Sequence, residues 1–301
     1  MIGLLCPGQG AQDIVIVERL CSDERGQAVF ALFRQVTGVS ADELARGPRE
    51  RLFDNAIAQP LVCAIALAAH AALEARMPSV RVIAGYSIGE LAAYGCAGAL
   101  SPFDTLHLAR IRAEFMEAAS KSPAGMVAVR GLRRQDALIL CRDYDVHIAI
   151  RNGVDRFVIA GNRENIDSFV PAAAARGAAI TPLPVRIPSH TPLLAKAAEQ
   201  FHEVLSAASF KEPAVPVIAG IDGSPVLSKE RAIATLSRQI CETVDWEACM
   251  TGLAESGAST FLEIGAGRDL SRMLRDTHPR MAARSIDEFH SLAGVIAWLA
   301  R

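Results

Sequence analysis

Several features that mark other protein classes are scarce or missing from this chain. The 31 Lys and Arg residues are balanced by 33 Asp and Glu, which leaves a formal net charge of -2. This balance argues against a protein that binds nucleic-acid phosphates through excess positive charge. The seven cysteines are odd in number and contain no C-x-x-C pair, so buried, reduced thiols are expected rather than a disulfide framework or a metal site.

Membrane and export signals are also missing. The most apolar uncharged run, Leu61 to Leu73, is too short to span a bilayer and is expected to be a buried helix. The first residues lack a basic segment and turn glycine-rich at once, which is not typical of a signal peptide. A cytoplasmic protein that does not contact membranes is therefore expected.

What the chain does contain is enough apolar sequence for a large core. Hydrophobic residues make up 51% of the 301 residues and charged residues 21%, so disorder is not expected. Short apolar runs at 2–6 and 80–86 each end at glycine, as buried strands do, and Pro60 is expected to open the helix that contains the apolar run. The remaining sequence alternates between helix and strand patterns, which indicates an α/β fold.

The middle of the chain has a different pattern. Residues 121–125, Lys-Ser-Pro-Ala-Gly, are expected to form a boundary. The β-α-β-β-α-β order that follows predicts a ferredoxin-like α+β subdomain over 123–188, inserted into a large α/β core formed by 1–122 and 189–301.

Residues 85–89 form a G-x-S-x-G pattern, Gly-Tyr-Ser-Ile-Gly, after one predicted strand and at the start of a helix. This context favours Ser87 as a nucleophile on a sharp turn, with helix N–H groups facing the oxyanion. The alternative is a glycine-rich turn with a capping serine. Glu90 is interpreted as a first-turn carboxylate favoured by the helix dipole.

A second glycine loop, residues 7–12, follows the first strand. It could supply another oxyanion donor through the N–H of Gln9, or it could be a structural turn. A phosphate loop is not expected, because neither G-x-G-x-x-G nor G-K-[ST] is present.

His190 is the strongest candidate for a general base. It lies between two prolines at the end of a predicted strand, where the backbone is held rigid. From the residues alone, a structural histidine is as good an interpretation. A base at His278 or His290 would instead give the chain order of an ordinary esterase.

Taken together, the motifs resemble the malonyl-CoA:acyl-carrier-protein transacylase family over nearly the whole chain. The matching segments, in order, are CPGQGAQ at 6–12, IAQP at 57–60, GYSIGELAA at 85–93, IRAEFM at 111–116, RFVIAG at 156–161, RIPSH at 186–190, VDW at 244–246 and FLEIGAG at 261–267. The family fold is a hydrolase-like α/β core with a ferredoxin-like insert, in agreement with the order of elements.

The resemblance implies a role for each matching residue. Ser87 is the implied nucleophile and His190 its base, and the N–H groups of Gln9 and Ile88 are the implied oxyanion donors. Arg112 matches the arginine that binds the malonyl carboxylate, a pairing for which a guanidinium is well suited. Without the resemblance, Arg112 would be interpreted as an exposed helix arginine.

Three departures from the family pattern bear on acyl specificity. Tyr86 replaces the usual histidine before the nucleophile, and Ile150 replaces one of a usual pair of asparagines, of which Asn152 remains as a substrate-binding residue. The resemblance implies that a backbone carbonyl around Val244 and Asp245 orients the histidine, and Asp245 stands where a neutral residue is common. If its carboxylate reached His190, the base would be stronger.

The function implied is transfer of a malonyl group from coenzyme A to the phosphopantetheine thiol of an acyl carrier protein. The expected partners are malonyl-CoA and the carrier protein, a monomer is expected, and no metal or cofactor is implied beyond the coenzyme A thioester. Carrier proteins are generally acidic, so Arg130, Arg133 and Arg134 are candidates for docking, unless they form a solvated charge run. The alternatives are an acyl hydrolase with the same Ser87 and His190, and a non-catalytic partner subunit, which the presence of both residues disfavours.

Overall fold

Two β-sheets and the helices around them make up the molecule. The computed structural model describes residues 1–300. The strands in chain order are β1 (Ile2–Cys6), β2 (Val80–Gly85), β3 (Ala124–Arg130), β4 (His147–Gly153), β5 (Arg156–Asn162), β6 (Ala179–Pro182), β7 (Val217–Ile218), β8 (Pro225–Val226), β9 (Val244–Asp245), β10 (Thr260–Glu263) and β11 (Ala282–Ser285).

The helices in chain order are α1 (Ile14–Cys21), α2 (Glu24–Thr37), α3 (Ala41–Arg46), α4 (Asn55–Leu73), α5 (Ile88–Cys96), α6 (Pro102–Ala119), α7 (Arg134–Asp143), α8 (Arg163–Ala174), α9 (Ala195–Ala207), α10 (Lys229–Arg238), α11 (Trp246–Glu255), α12 (Asp269–Thr277) and α13 (Leu292–Leu299). Single turns of 3₁₀ helix lie at Arg49–Phe53, Glu74–Arg76, Pro192–Leu194 and Ile286–Glu288.

The larger sheet places the carboxyl ends of β1 and β2 side by side. Its order is β11-β10-β1-β2-β7-β8, and every pair is parallel except β7 with β8. All five residues of β1 are buried, as expected for a central strand covered on both faces. Cys6 pairs with Gly85 at the carboxyl ends of β1 and β2. The loops that follow these strands therefore begin next to each other, at the edge where open α/β sheets bind ligands.

The smaller sheet has the order β6-β3-β5-β4-β9. Its first four strands are antiparallel neighbours, and with α7 and α8 they follow the chain order β-α-β-β-α-β. The fifth strand, β9, pairs in parallel with β4 and comes from residues 244–245, outside the predicted insert. We propose that residues 123–188 form the small subdomain and that 1–122 and 189–300 form the core, which adds β9 as the edge strand; Arg301, the last residue of the predicted core, lies outside the described residues.

Helix α4 packs against α2, α5 and α6 in the main hydrophobic core. By length and composition, Asn55–Arg76 could cross a membrane, but 78% of its apolar 18-residue stretch is buried inside the protein, as in the core helix of a globular domain. The prediction that Pro60 opens this helix is wrong, because the helix begins five residues earlier and Pro60 lies inside it. The missing proline N–H costs one backbone hydrogen bond near the helix start.

Candidate active site

Ser87 lies on the turn between β2 and α5, in a strained backbone conformation. Its backbone φ is 54°, a value that residues other than glycine rarely adopt. Such strain costs about 1–3 kcal/mol and persists only where the surroundings impose it. The two flanking glycines are required by close packing. A Cβ on Gly85 would overlap the backbone of Gly89 and Glu90, and one on Gly89 would overlap the carbonyl oxygens of Cys6 and Pro7.

Gly89→Ala is expected to destabilise the fold by about 3 kcal/mol, because its methyl group must displace the backbone after β1. Urea unfolding followed by circular dichroism measures the change. Gly153→Ala is the control, since a Cβ there meets no atom within 4 Å, and it should change the unfolding free energy by less than about 0.5 kcal/mol. Equal midpoints for the two variants would contradict the packing argument.

The structure brings His190 to Ser87. The Nε2 atom of His190 lies 2.8 Å from Ser87 Oγ, and Nδ1 lies 2.5 Å from the backbone oxygen of Gln239. A carbonyl only accepts, so we assign the proton to Nδ1, which leaves Nε2 to accept from the serine hydroxyl. His190 also has a positive φ of 63°, and its own N–H donates to Ile240 O at 2.9 Å.

The imidazole of His190 is neutral at neutral pH. The side chain is only 2% exposed, and burial lowers its pKa to about 3, assisted by the positive charge of Arg112 and opposed by the hydrogen bond to Gln239. A neutral imidazole is the form that can accept a proton from serine.

The low pKa of His190 makes the stability of the protein depend on pH. The unfolded chain, with a histidine pKa of about 6.5, takes up this proton first as the pH falls. The stability from this group is therefore full above pH 6.5 and is lost progressively towards a pH of about 3. Between pH 6.5 and pH 5, wild type should lose about 1.6 kcal/mol of unfolding free energy relative to His190→Gln.

Urea unfolding at both pH values checks this prediction. The pKa values of Glu90 and Glu263 are each raised to about 7 by burial, so these carboxyls act in the opposite direction and favour the folded state as pH falls. They are present in both proteins and cancel in the comparison. If wild type and variant changed in parallel, His190 would not be buried in its neutral form.

The prediction that Asp245 orients the histidine is wrong. The carboxylate of Asp245 accepts from Arg151 Nε at 3.0 Å and from Arg151 Nη2, and it caps α11 through Ala248 N at 3.1 Å. The orienting group is a backbone oxygen, as the resemblance implied, but it belongs to Gln239 near the end of α10. Because its charge is paired with Arg151 on β4, Asp245 does not strengthen the base.

Two backbone N–H groups flank the nucleophile turn. Gln9 lies in the loop after β1, and Ile88 is the first residue of α5, where an N–H has no acceptor within the helix. Neither group donates to an acceptor among residues 1–300. Gln9 also lines a cavity of about 680 Å³, whose wall includes residues 124–127 and 182–187. Of the predicted site residues, Gln9 alone lines that cavity.

Arg112 is buried, contrary to the interpretation from the residues alone. It is 1% exposed on α6, and its guanidinium donates to Gln59 Oε1 at 2.7 Å and to Gln239 Oε1 at 3.3 Å. Within the described residues no carboxylate lies within 4.0 Å of it. Burial lowers its pKa to about 10, so the group stays charged at neutral pH. By contrast, Arg110 faces solvent and pairs with Glu114, as the helical spacing predicts.

Tyr86 and Asn152 contact each other. The Tyr86 hydroxyl donates to Asn152 Oδ1 at 3.1 Å, and the Tyr86 ring packs edge-on against Trp246 with 5.2 Å between centroids. The ring also lies against Gly8 in the loop after β1. Ile150 is buried on β4, opposite Val244. Tyr86, which replaces the usual histidine of the family, therefore connects the nucleophile turn to Asn152 on β4 of the small sheet.

Sequence reasoning missed two residues and underestimated a third. Gln239 was not singled out, and no local pattern marks it. Gln59 lies in the IAQP segment, so that motif was the available signal. Glu90 does lie in the first turn of α5, but it is fully buried and accepts from Gly220 N at 3.0 Å and from Gln239 Nε2. The three candidate docking arginines, Arg130, Arg133 and Arg134, are exposed.

Comparison with known proteins identifies the family. The family model described as "Acyl transferase domain" matches residues 4–292. The chain belongs to this acyl transferase family. The malonyl CoA-acyl carrier protein transacylases of Mycobacterium bovis and Bacillus subtilis are each 30% identical to the chain, over 98% and 95% of its length and 100% and 93% of their own.

Solved structures of other acyl transferases are similar throughout. The malonyl-CoA:acyl carrier protein transacylase of Xanthomonas oryzae superposes with a TM-score of 0.92 at 29% identity, covering 99% of this chain and 97% of that one. A type II PKS acyl-carrier protein in complex with its malonyl-transacylase matches with a TM-score of 0.93 at 28% identity, over 99% of both chains. The α/β fold and the family predicted from the motifs are confirmed.

Proposed function

We propose that this acyl transferase moves a malonyl group from coenzyme A to the phosphopantetheine thiol of an acyl carrier protein, through an ester on Ser87. The observation that carries the proposal is the hydrogen-bonded series Ser87 Oγ, His190 imidazole and Gln239 backbone oxygen, with separations of 2.8 and 2.5 Å. Similar proteins named as malonyl transacylases of acyl carrier proteins support the same reaction.

In the first half-reaction, Ser87 Oγ attacks the thioester carbonyl while His190 Nε2 takes the hydroxyl proton. The resulting imidazolium keeps its Nδ1–H on Gln239 O, so the ring does not need to reorient. The N–H groups of Gln9 and Ile88 are the donors we assign to the oxyanion. Loss of one such donor typically lowers the rate by about 100- to 1000-fold. Coenzyme A then leaves as the thiol, after taking the proton from His190.

The second half-reaction reverses these steps with a different thiol. The phosphopantetheine thiol gives its proton to His190 and attacks the Ser87 ester, and the proton returns to Ser87 Oγ when the tetrahedral intermediate collapses. The same base and the same oxyanion donors therefore serve both halves, and the malonyl group leaves on the carrier protein.

Arg112 is the residue we assign to the malonyl carboxylate. Its charge is buried and is held by two neutral amides instead of an internal carboxylate. A buried cation with no carboxylate in direct contact is costly, and a bound carboxylate would lower that cost through charge-assisted hydrogen bonds. We assign Asn152 to the same pocket, where its amide oxygen is already engaged by Tyr86.

The reaction needs no cofactor beyond the coenzyme A thioester. We also propose a cytoplasmic location, because all seven cysteines are free, five of them buried, as is typical of a reducing compartment.

The alternative function is hydrolysis of acyl groups from carrier proteins, with the same serine and histidine. Incubation with malonyl-CoA and a holo acyl carrier protein separates the two. The proposal expects malonyl-carrier protein to form, with little free malonate. Rapid release of malonate, with no loaded carrier protein, would support the hydrolase and contradict the transferase.

A further inference from the structure

Gln239 is held by contacts at both ends of its side-chain amide. Its Nε2 donates to the Glu90 carboxylate and to the backbone oxygen of Ser87 at 3.2 Å, and its Oε1 accepts from Arg112 at 3.3 Å. An amide has donors at one end and an acceptor at the other. Reversing this amide would place its oxygen against a carboxylate and its N–H groups against a guanidinium, and both contacts would be repulsive.

Glu90 is the anion that fixes this orientation. It is 0% exposed, and its Oε2 accepts from Gly220 N at 3.0 Å as well as from Gln239. Within residues 1–300 it forms no salt bridge at 4.0 Å or less. The charged and titratable groups that face it are Arg112 on α6, Asp222 after β7, Cys249 on α11 and Tyr94 on its own helix.

We propose that Glu90 is a positioning residue for malonyl selection, because its carboxylate orients the Gln239 amide that holds the Arg112 guanidinium. This inference rests on the proposed malonyl transfer and adds a residue to it. The Glu90 carboxylate forms no hydrogen bond with Ser87 Oγ or the His190 ring, and Gln239 holds His190 through its backbone oxygen, which the amide orientation leaves unchanged. Loss of the Glu90 charge therefore weakens binding of the malonyl carboxylate by Arg112 more than it slows acylation of Ser87.

The consequence is a selectivity that depends on pH. Burial raises the pKa of Glu90 to about 7, against the opposing effect of its hydrogen bonds and of Arg112. As the pH falls through this value, the carboxyl gains a proton and can donate, so it no longer enforces one amide orientation. The ratio of malonyl to acetyl loading should fall with it. Acetyl loading is the internal reference, because it uses Ser87 and His190 but has no carboxylate for Arg112.

The test compares kcat/KM for loading of Ser87 by malonyl-CoA and by acetyl-CoA between pH 5.5 and pH 8.5, values chosen about one and a half units on either side of that pKa. In wild type, the ratio is expected to fall on the order of 10-fold as the pH drops through about 7. In Glu90→Gln the ratio should be low at every pH. Gln239→Met, which removes the amide but keeps the backbone oxygen, should behave in the same way and serves if Glu90→Gln does not fold.

Glu263→Gln is the matched control. Glu263 is also buried, its pKa is also raised to about 7, and it accepts from the N–H groups of Leu270 and Ser271 on α12, with no hydrogen bond to Gln239 or Arg112. Glu263→Gln should change the stability of the fold, while its ratio of malonyl to acetyl loading should follow the wild-type dependence on pH. A wild-type ratio profile in Glu90→Gln or in Gln239→Met would overturn the role of Glu90, whereas failure of wild type to load malonyl at all would overturn the proposed function instead.

Discussion

Ser87→Ala is expected to form no acyl-enzyme and to lose malonyl transfer by about 10⁴-fold or more. The methyl group cannot attack a thioester, and the base and oxyanion donors that remain act poorly without the nucleophile. Stopped-flow release of coenzyme A and the mass of the intact protein measure the two effects. The fold should be retained, since alanine adds no atom to the turn.

Ser206→Ala is a suitable control for this variant. Ser206 is exposed on α9, and its hydroxyl donates only to the backbone oxygen of His202. It should transfer malonyl at the wild-type rate. If Ser87→Ala still acquired a malonyl group from malonyl-CoA, the nucleophile would be another residue and the assignment would fail.

The second large effect is expected for Arg112→Gln. Malonyl-CoA loading should fall by about 100-fold or more, because the proposed charge-assisted contact with the substrate carboxylate is lost. Acetyl-CoA loading should change far less, so the preference for malonyl over acetyl should largely disappear. Initial rates of acyl-enzyme formation with each thioester give the ratio directly.

Arg110→Gln is the matched control for Arg112, since it lies on the same helix but is exposed and paired with Glu114. Its loading ratio should equal that of wild type. Arg112→Gln also removes a donor from buried Gln59, which can cost about 1–3 kcal/mol, so unfolding should be measured in parallel. A parallel loss of malonyl and acetyl loading in a folded protein would show that Arg112 does not select the acyl group.

The parts of the fold that sequence predicted best are those with long local patterns. The buried helix expected at 61–73 lies within α4, and β1 and β2 follow from apolar runs that stop at a glycine turn. Strands β8 and β9 have two residues each and β11 has four, which is too short for any periodicity. Their place is set by neighbouring strands, as β9 is by β4.

The site residues also divide into those that a local sequence pattern marks and those that only the folded structure brings together. Ser87 and His190 are marked by local sequence, a glycine-flanked turn and a proline-flanked histidine. Arg112, Glu90 and Gln239 are not, because they become a network only when α5, α6 and the end of α10 meet, and Gln239 lies 149 residues from Glu90. Asp245 shows the converse. Its position in the VDW segment suggested a contact with His190, but its carboxylate is paired with Arg151 on the adjacent strand β4.

The central claim is a malonyl ester on Ser87, and the most direct test is the intact mass of wild type after incubation with malonyl-CoA alone. The account predicts a gain of one malonyl group, located on the peptide that contains Ser87 after digestion, with much weaker labelling by acetyl-CoA. A malonyl group on any other residue, or free coenzyme A released with no adduct at any time, would contradict it.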